Sequence, residues 1–506
     1  MLDDQLADQP PAPLDRSRAV QHRASRNQWN RAGGMLALAL AVTGVGLGVI
    51  LPASDSGRGP AGGPVTIQGI VAVTRTSTSL RTSCPPVSRA VGSTRVLVQS
   101  PSGAVVGQAR LGTGMVGVAG ISCDYPFTLS HLPTESRYRV SVGKGATAWF
   151  TRRQMVGRIT LRLGPVVRTP LSWLTGSDTV AGDGFGTSVA MSGAAIVVGS
   201  PSHTGGRVYV FTGAAGGWRQ SAELVGSDVV RGDGFGSSVA VSGGTIVVGA
   251  SRHANAGGRV YVFTRAPGGW RQSAELVGSD TVRGDGFGSR VAISGGTIVV
   301  GATGANPNSG GRAYAFSKAA GSWSQVAEMK GFDDLGGAMG VAVSSDTMVV
   351  GAFNRTSIYV ETAGAWKLAA TLNSPGAFVN AAISADTLVV SGQGPGCGTG
   401  RADLFTRTGH GWKPAAVLTG DGCFGLSVAT SGSSVAVGGA AVPAVYLFTR
   451  TAGGWRQSAE LTNYQSLGPT GFFTVAISGV AVVVGAPEAK PPGHRASGGV
   501  VYVFGP

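Results

Sequence analysis

The sequence predicts an all-β protein, most of it a seven-bladed β-propeller of four-stranded blades preceded by a small β-sandwich and one N-terminal transmembrane or signal helix. Three observations carry this reading: glycine usage, a long internal repeat, and period-two alternation within each repeat unit. Of 506 residues, 84 are glycine and only 13% are charged, which excludes a charge-rich disordered chain. Glycine is scattered between runs of Val, Ile and Ala. Short strands joined by tight turns accommodate that spacing, whereas each glycine inside a helix costs roughly 1 kcal/mol relative to alanine.

The repeat is plainest in DGFGTSVAMSGAAIVVGS (183–200), DGFGSSVAVSGGTIVVGA (233–250) and DGFGSRVAISGGTIVVGA (285–302). Aligned first-strand positions fall at Val189, Val239, Val291, Val341, Ala381, Val428 and Val475, spaced by 50, 52, 50, 40, 47 and 47 residues, so seven units are expected. Each unit reads as SVAVS, TIVVGA, GGRVYVF and a Trp-led GGWRQSAEL, four antiparallel strands. Fourth strands open at Trp218, Trp270, Trp323, Trp366, Trp412 and Trp455, but the seventh unit stops at VVYVFGP. The segment Thr169–Thr175 (TPLSWLT) precedes GSD as RQSAELV does later, so this N-terminal strand is expected to complete the last blade and close the ring.

DGFG at the start of the first strand and VVGA at the end of the second resemble the FG-GAP repeats of bacterial secreted proteins and of integrin α-chain propellers. The resemblance spans about two-thirds of the chain. It is strong in the first three units, fades in the fourth and fifth (MGVAV, NAAIS), and returns with CFG and VVGAP in the last two. It implies a propeller that binds partners. Calcium-binding integrin blades carry DxDxDG in the first hairpin; here the hairpin is SGGT, without room for six or more oxygen ligands, so neither metal nor cofactor is expected.

Ahead of the repeats, Met35 to Leu51 contains Thr43 as its only polar side chain, with Arg16, Arg18, Arg23, Arg26 and Arg31 upstream. The positive-inside rule keeps that basic end in the cytoplasm and places the remainder outside. The expected organisation is a cytoplasmic Arg-containing tail (1–34), a transmembrane signal-anchor or signal peptide (35–53), a Gly/Pro linker (54–64), a basic β-sandwich (65–163) and the propeller (164–506). The expected location is the cell membrane, single-pass with the C-terminal part extracytoplasmic; cleavage near Ala53 would make the protein secreted.

Residues 65–163 hold eleven arginines and Lys144 against Asp124 and Glu135, a net +10 of the chain's +15. Outside a cell such a surface attracts an anionic membrane or cell-wall polymer rather than nucleic acid. Four cysteines fit an oxidising compartment and allow three connectivities. Placement in the predicted domains pairs Cys84 with Cys123 and Cys397 with Cys423.

Connections between fourth and first strands, and between second and third, emerge on one rim. The first class carries Asp178, Asp183, Asp228, Asp233, Asp280 and Asp285, with Arg231 and Arg283; the second carries His203, His253 and His494, from blades that adjoin once the ring closes. Carboxylates and histidines gathered on one rim form a candidate ligand site. The competing reading is that the Asp of GDGFG bonds its own turn and is copied with the repeat. Arg231-Gly232-Asp233 and Arg283-Gly284-Asp285 also spell the tripeptide that integrins recognise. No GxSxG, HExxH or P-loop pattern occurs, so no catalytic residues are assigned. The expected function is extracytoplasmic binding or adhesion, non-enzymatic, with a protein or glycan ligand on the rim. Alternatives are a propeller lyase or hydrolase drawing residues from several blades, and a structural envelope protein.

Overall fold

The computed structural model describes residues 65–74, 84, 95–116, 122–142, 146–155, 158–163, 166–168, 170–214, 217–304, 311–332, 340–352, 355–373, 380–393, 400–409, 411–420, 423–439, 445–461, 474–491 and 497–505. The apolar stretch Met35–Leu51 lies outside them. Among the described residues no helix is long and apolar enough to cross a membrane.

Two four-stranded sheets come first. One orders Met115–Val116, Ser122–Leu132, Val65–Thr74 and Arg158–Leu163; the other orders Val105–Arg110, Arg95–Gln99, Arg137–Val142 and Ala146–Thr151. Alternation decides which side chains meet: Tyr138, Val140 and Val142 point inward while Arg137 and Arg139 stay exposed. Both sheets contribute to one core that includes Ile67, Val71, Val96, Val98, Tyr125, Phe127 and Phe150. Cys84 and Cys123 form the expected disulfide, with Cα atoms 5.6 Å apart. Cys423 is also disulfide-bonded, and its expected partner Cys397 lies outside the described residues.

Seven sheets follow, numbered here 1 to 7 along the chain. Sheet 1 is Ser188–Ser192, Ala195–Ser200, Arg207–Ala214 and Gly217–Leu224; sheet 2 runs from Phe235–Ser242 to Gly269–Leu276, and sheet 3 from Phe287–Ser294 to Ser322–Phe332. Sheets 4, 5 and 6 begin at Gly340, Asn380 and Ser427 in the same antiparallel order. In sheet 7, Thr474–Ser478, Ala481–Ala486 and Val500–Phe504 take their fourth strand from Ser172–Leu174, with Trp173 opposite Tyr502. The architecture is all-β, built of repeated four-stranded sheets, and is consistent with a β-propeller.

The core lies between consecutive sheets. Val197, Val208, Val210 and Leu224 of sheet 1 pack on Phe235, Val239, Ile246 and Tyr261 of sheet 2 and its approach. Leu174, Val501 and Val503 of sheet 7 pack likewise on Ile196, Tyr209 and Phe211 of sheet 1. Because both faces are covered, second strands such as Thr245–Ala250 are apolar without alternation. First strands adjoin first strands in order, and the first strand of sheet 1 adjoins that of sheet 7.

A belt of serines closes along with them. The Ser192 hydroxyl accepts the Gly243 N–H, Ser242 accepts Gly295, Ser294 accepts Ser345, and Ser344 accepts Ala385. Ser384 accepts Gly432, Ser431 accepts Gly479, and Ser478 returns to accept Gly193, at 3.0–3.3 Å throughout. One strand was not foreseen: Val166–Arg168 adds in parallel to Gly454–Leu461, making sheet 6 five-stranded. It covers an edge whose backbone groups would otherwise face solvent unpaired.

Candidate functional site

The Phe-Gly pair organises each rim loop. Phe185, Phe235, Phe287 and Phe424 are fully buried, each against the Tyr and Phe of its own third strand at ring-centroid distances of 5.3–6.1 Å. The following glycine takes a positive φ, 89° at Gly236, and turns its carbonyl against the preceding sheet. A Cβ on Gly199 or Gly249 would collide with the Gly236 or Gly288 carbonyl oxygen. Gly199 and Gly249 of VVG therefore mark where the next sheet's backbone touches.

Ahead of Phe185, Phe235 and Phe287 stands a buried carboxylate. Asp183 Oδ2 accepts the Val180 N–H at 2.7 Å and bonds His203 Nδ1 at 2.7 Å. Asp233 repeats this with Val230 and His253, both at 2.8 Å. A carboxylate only accepts, so each ring carries its proton on Nδ1 and turns Nε2 toward Asp178 or Asp228, 3.5 Å away. Tyr209 and Tyr261 donate to the other oxygens of Asp178 and Asp228 at 2.7 and 2.6 Å. Burial, then the hydrogen bond to the carboxylate, raises both phenols well above their ordinary range. The histidine side chains keep only 13% and 12% exposure.

The third repeat departs. Asp285 Oδ2 accepts the Val282 N–H at 2.8 Å, but Oδ1 is buried without a hydrogen-bond partner. The residue twenty after Asp285 is Ala305, which lies outside the described residues, where His203 and His253 stand twenty after Asp183 and Asp233. Asp280 instead receives Arg312 at 2.6 Å and Lys330 at 3.5 Å, besides the Tyr314 hydroxyl at 2.8 Å. Burial pushes the Asp280 carboxyl up, but Tyr314, Glu328, Arg312 and Lys330 together outweigh it and hold it below its ordinary value. Burial, then the Asp280 hydrogen bond, pushes Tyr314 up to about 12. In sheets 1 and 2 the matching arginines pair elsewhere, Arg207 with Glu223 at 2.8 Å and Arg259 with Glu275 at 2.7 Å.

The predicted rim residues are thus gathered repeat by repeat, His203 with Asp178 and His253 with Asp228, each set internally bonded. No hydrogen bond or ion pair among the described residues joins one set to the next. His494 lies outside the described residues. Arg231 and Arg283 are exposed, but the carboxylates of their RGD triplets, Asp233 and Asp285, are 6% and 3% exposed and turned into their own loops. A receptor that reads RGD needs that carboxylate, so these triplets do not present it. Among the described residues no group of three or more His, Cys, Asp or Glu is arranged to hold a metal ion.

What these groups do chemically is fix the loops. Exposed above them are Val180, Val230 and Val282, at 60%, 63% and 55%, in the same position of three consecutive loops. The Asp to Tyr bond was missed from sequence, although both residues recur at separations of 31, 33 and 34 in the three repeats.

No curated protein matches the chain. Residues 171–211, 218–263 and 270–316 each match the family model of the FG-GAP repeat, so these three segments are similar to FG-GAP repeats.

Proposed function

We propose that sheets 1 to 7 are the blades of one seven-bladed propeller, that the two preceding sheets form a basic β-sandwich, and that the whole serves as an extracytoplasmic, non-enzymatic binding protein. The sequential packing of the sheets and the closed serine belt favour one ring. The basic flank before Met35–Leu51 and the Cys84–Cys123 disulfide favour an outer, oxidising location for everything after the apolar stretch.

One observation carries the binding role. The loops of sheets 1 to 3 are held by buried carboxylates and present three exposed valines in a row, with Arg231 and Arg283 beside the second and third. Fixed loops lose little entropy on association, and apolar tips bordered by guanidinium groups suit a protein or glycan surface. The arginines of the sandwich add a weaker, salt-sensitive hold on an anionic membrane or wall polymer.

The test is binding of the full chain to glycans, matrix proteins, wall polymers and anionic vesicles while salt is titrated. Binding that persists at high salt and weakens at least tenfold in a Val180→Ser, Val230→Ser, Val282→Ser triple variant supports the rim. Binding that survives the triple variant, or turnover of a bound glycan, overturns it.

A further inference from the structure

The first three repeats are near-copies, yet one inner-strand position differs in kind. Ser188 and Ser238, in the first strands of sheets 1 and 2, each send a hydroxyl to the next sheet, to Gly236 O and Gly288 O at 2.7 Å. Thr474 in sheet 7 donates to Gly186 O at 2.9 Å, and Asn380 in sheet 5 donates through Nδ2 to Leu426 O at 2.9 Å. Sheet 3 has Arg290 at this register, opposite Gly301 as Ser188 is opposite Gly199.

Arg290 is exposed as a residue, yet the surrounding protein desolvates its guanidinium and lowers its pKa. Exposure and enclosure coincide where a side chain projects into an internal water-filled space. The first strands follow one another in a closed order, which places such a space at their centre. Gly340 holds the same register in sheet 4 and adds no side chain to fill it.

Among the described residues Arg290 makes one hydrogen bond, from Nη1 to the Ser289 carbonyl at 3.0 Å, and no carboxylate pairs with it. A guanidinium has five N–H donors in a planar fork, and desolvating it without a counter-charge is unfavourable. The matching ligand is a planar or tetrahedral oxyanion, which takes two parallel N–H bonds from the fork.

We propose that Arg290 anchors a small oxyanion, a carboxylate or a phosphate, in the space enclosed by the first strands. The proposal rests on the reading of the sheets as one ring and adds to the rim a second site of different chemistry.

The experiment is calorimetric titration of the full chain with inorganic phosphate and, separately, with acetate, against sodium chloride at equal ionic strength. Arg290→Ser, which restores the residue of the sister repeats, is expected to weaken the response at least tenfold with an unchanged circular dichroism spectrum; Arg290→Lys, a charge without a fork, falls between. Saturable binding of phosphate alone, or of acetate alone, supports the site and assigns the class of its ligand. An equal response to chloride, or an unchanged response in Arg290→Ser, overturns it. An Arg290→Cys variant reports on the ring separately. Labelling by a small methanethiosulfonate but not by a polymer-linked maleimide supports enclosure, whereas equal labelling by both overturns the ring reading itself.

Discussion

Sheets 1 and 2 differ from the later sheets in how one backbone plan is held together. In the first two, the rim-loop carboxylate and its neighbours are paired: Asp183 and Asp233 hold a backbone N–H and a histidine, and Arg207 and Arg259 form ion pairs with Glu223 and Glu275. In sheet 3 the loop keeps the backbone bond but Asp285 Oδ1 is left unpaired, and Arg312 has moved to Asp280. In sheet 6, Glu460 stands at the register of Glu223 and Glu275, and the residue before Val445, where Arg207 precedes Val208, is Ala444. The strands persist while the partners change. Apolar packing between sheets fixes the plan, and the polar staples set how firmly each unit is held.

The sharpest test of that difference is steric. Gly249 meets the Gly288 carbonyl, whereas a Cβ on Gly301 would find its nearest neighbours, Arg290 Cβ and Val341 Cγ1, at 3.4 Å, an ordinary contact. Gly249→Ala is therefore expected to lower the unfolding free energy by on the order of 3 kcal/mol or more, and Gly301→Ala by less than about 1 kcal/mol. Equal losses in equilibrium denaturation would mean that sheets 3 and 4 approach as closely as sheets 2 and 3.

Next is the response to pH. Burial raises the Glu460 carboxyl to about 7 from an ordinary 4.5. A raised folded-state value favours the protonated form, so this stability is fully present below the unfolded value and is lost as pH rises through about 7. The loss is on the order of 2–3 kcal/mol between acid and pH 8, and Glu460→Gln should flatten the profile. A profile unaltered by that substitution would place the titration elsewhere.

The smallest effect isolates the histidine. Asp233→Ala removes bonds to both Val230 and His253, whereas Asp285→Ala removes the Val282 bond alone, so the first should cost about 1 kcal/mol more in the same denaturation assay. If the two match, His253 contributes nothing to holding its loop.

The repeat, the four strands of each unit and the use of Ser172–Leu174 in the last sheet were legible in the sequence, because alternation and turn residues are local signals. The role of the loop histidines was harder to see. Their distances to the following glycines differ, but their distance from the preceding buried Asp is twenty residues in both repeats, and that is the spacing the geometry uses. Arg290 was invisible as a distinct feature because its surroundings depend on sheets far away in sequence. The parallel strand Val166–Arg168 was missed for the same reason: three residues carry no periodicity of their own.

The chain comes into and leaves the seven sheets at nearly one place. Leu171 N–H donates to Val503 O at 2.8 Å, Arg168 Nη1 donates to Gly505 O, and Ser172–Leu174 grips Val501–Val503 through three residue pairs. A pull between the N-terminal sheets and a partner held on the loops of sheets 1 to 3 would load first Val166–Arg168 on sheet 6 and then this seam. The assembly would fail under tension as a clasp does, by release of two three-residue strands in turn, ahead of the longer strands of sheets 1 to 3.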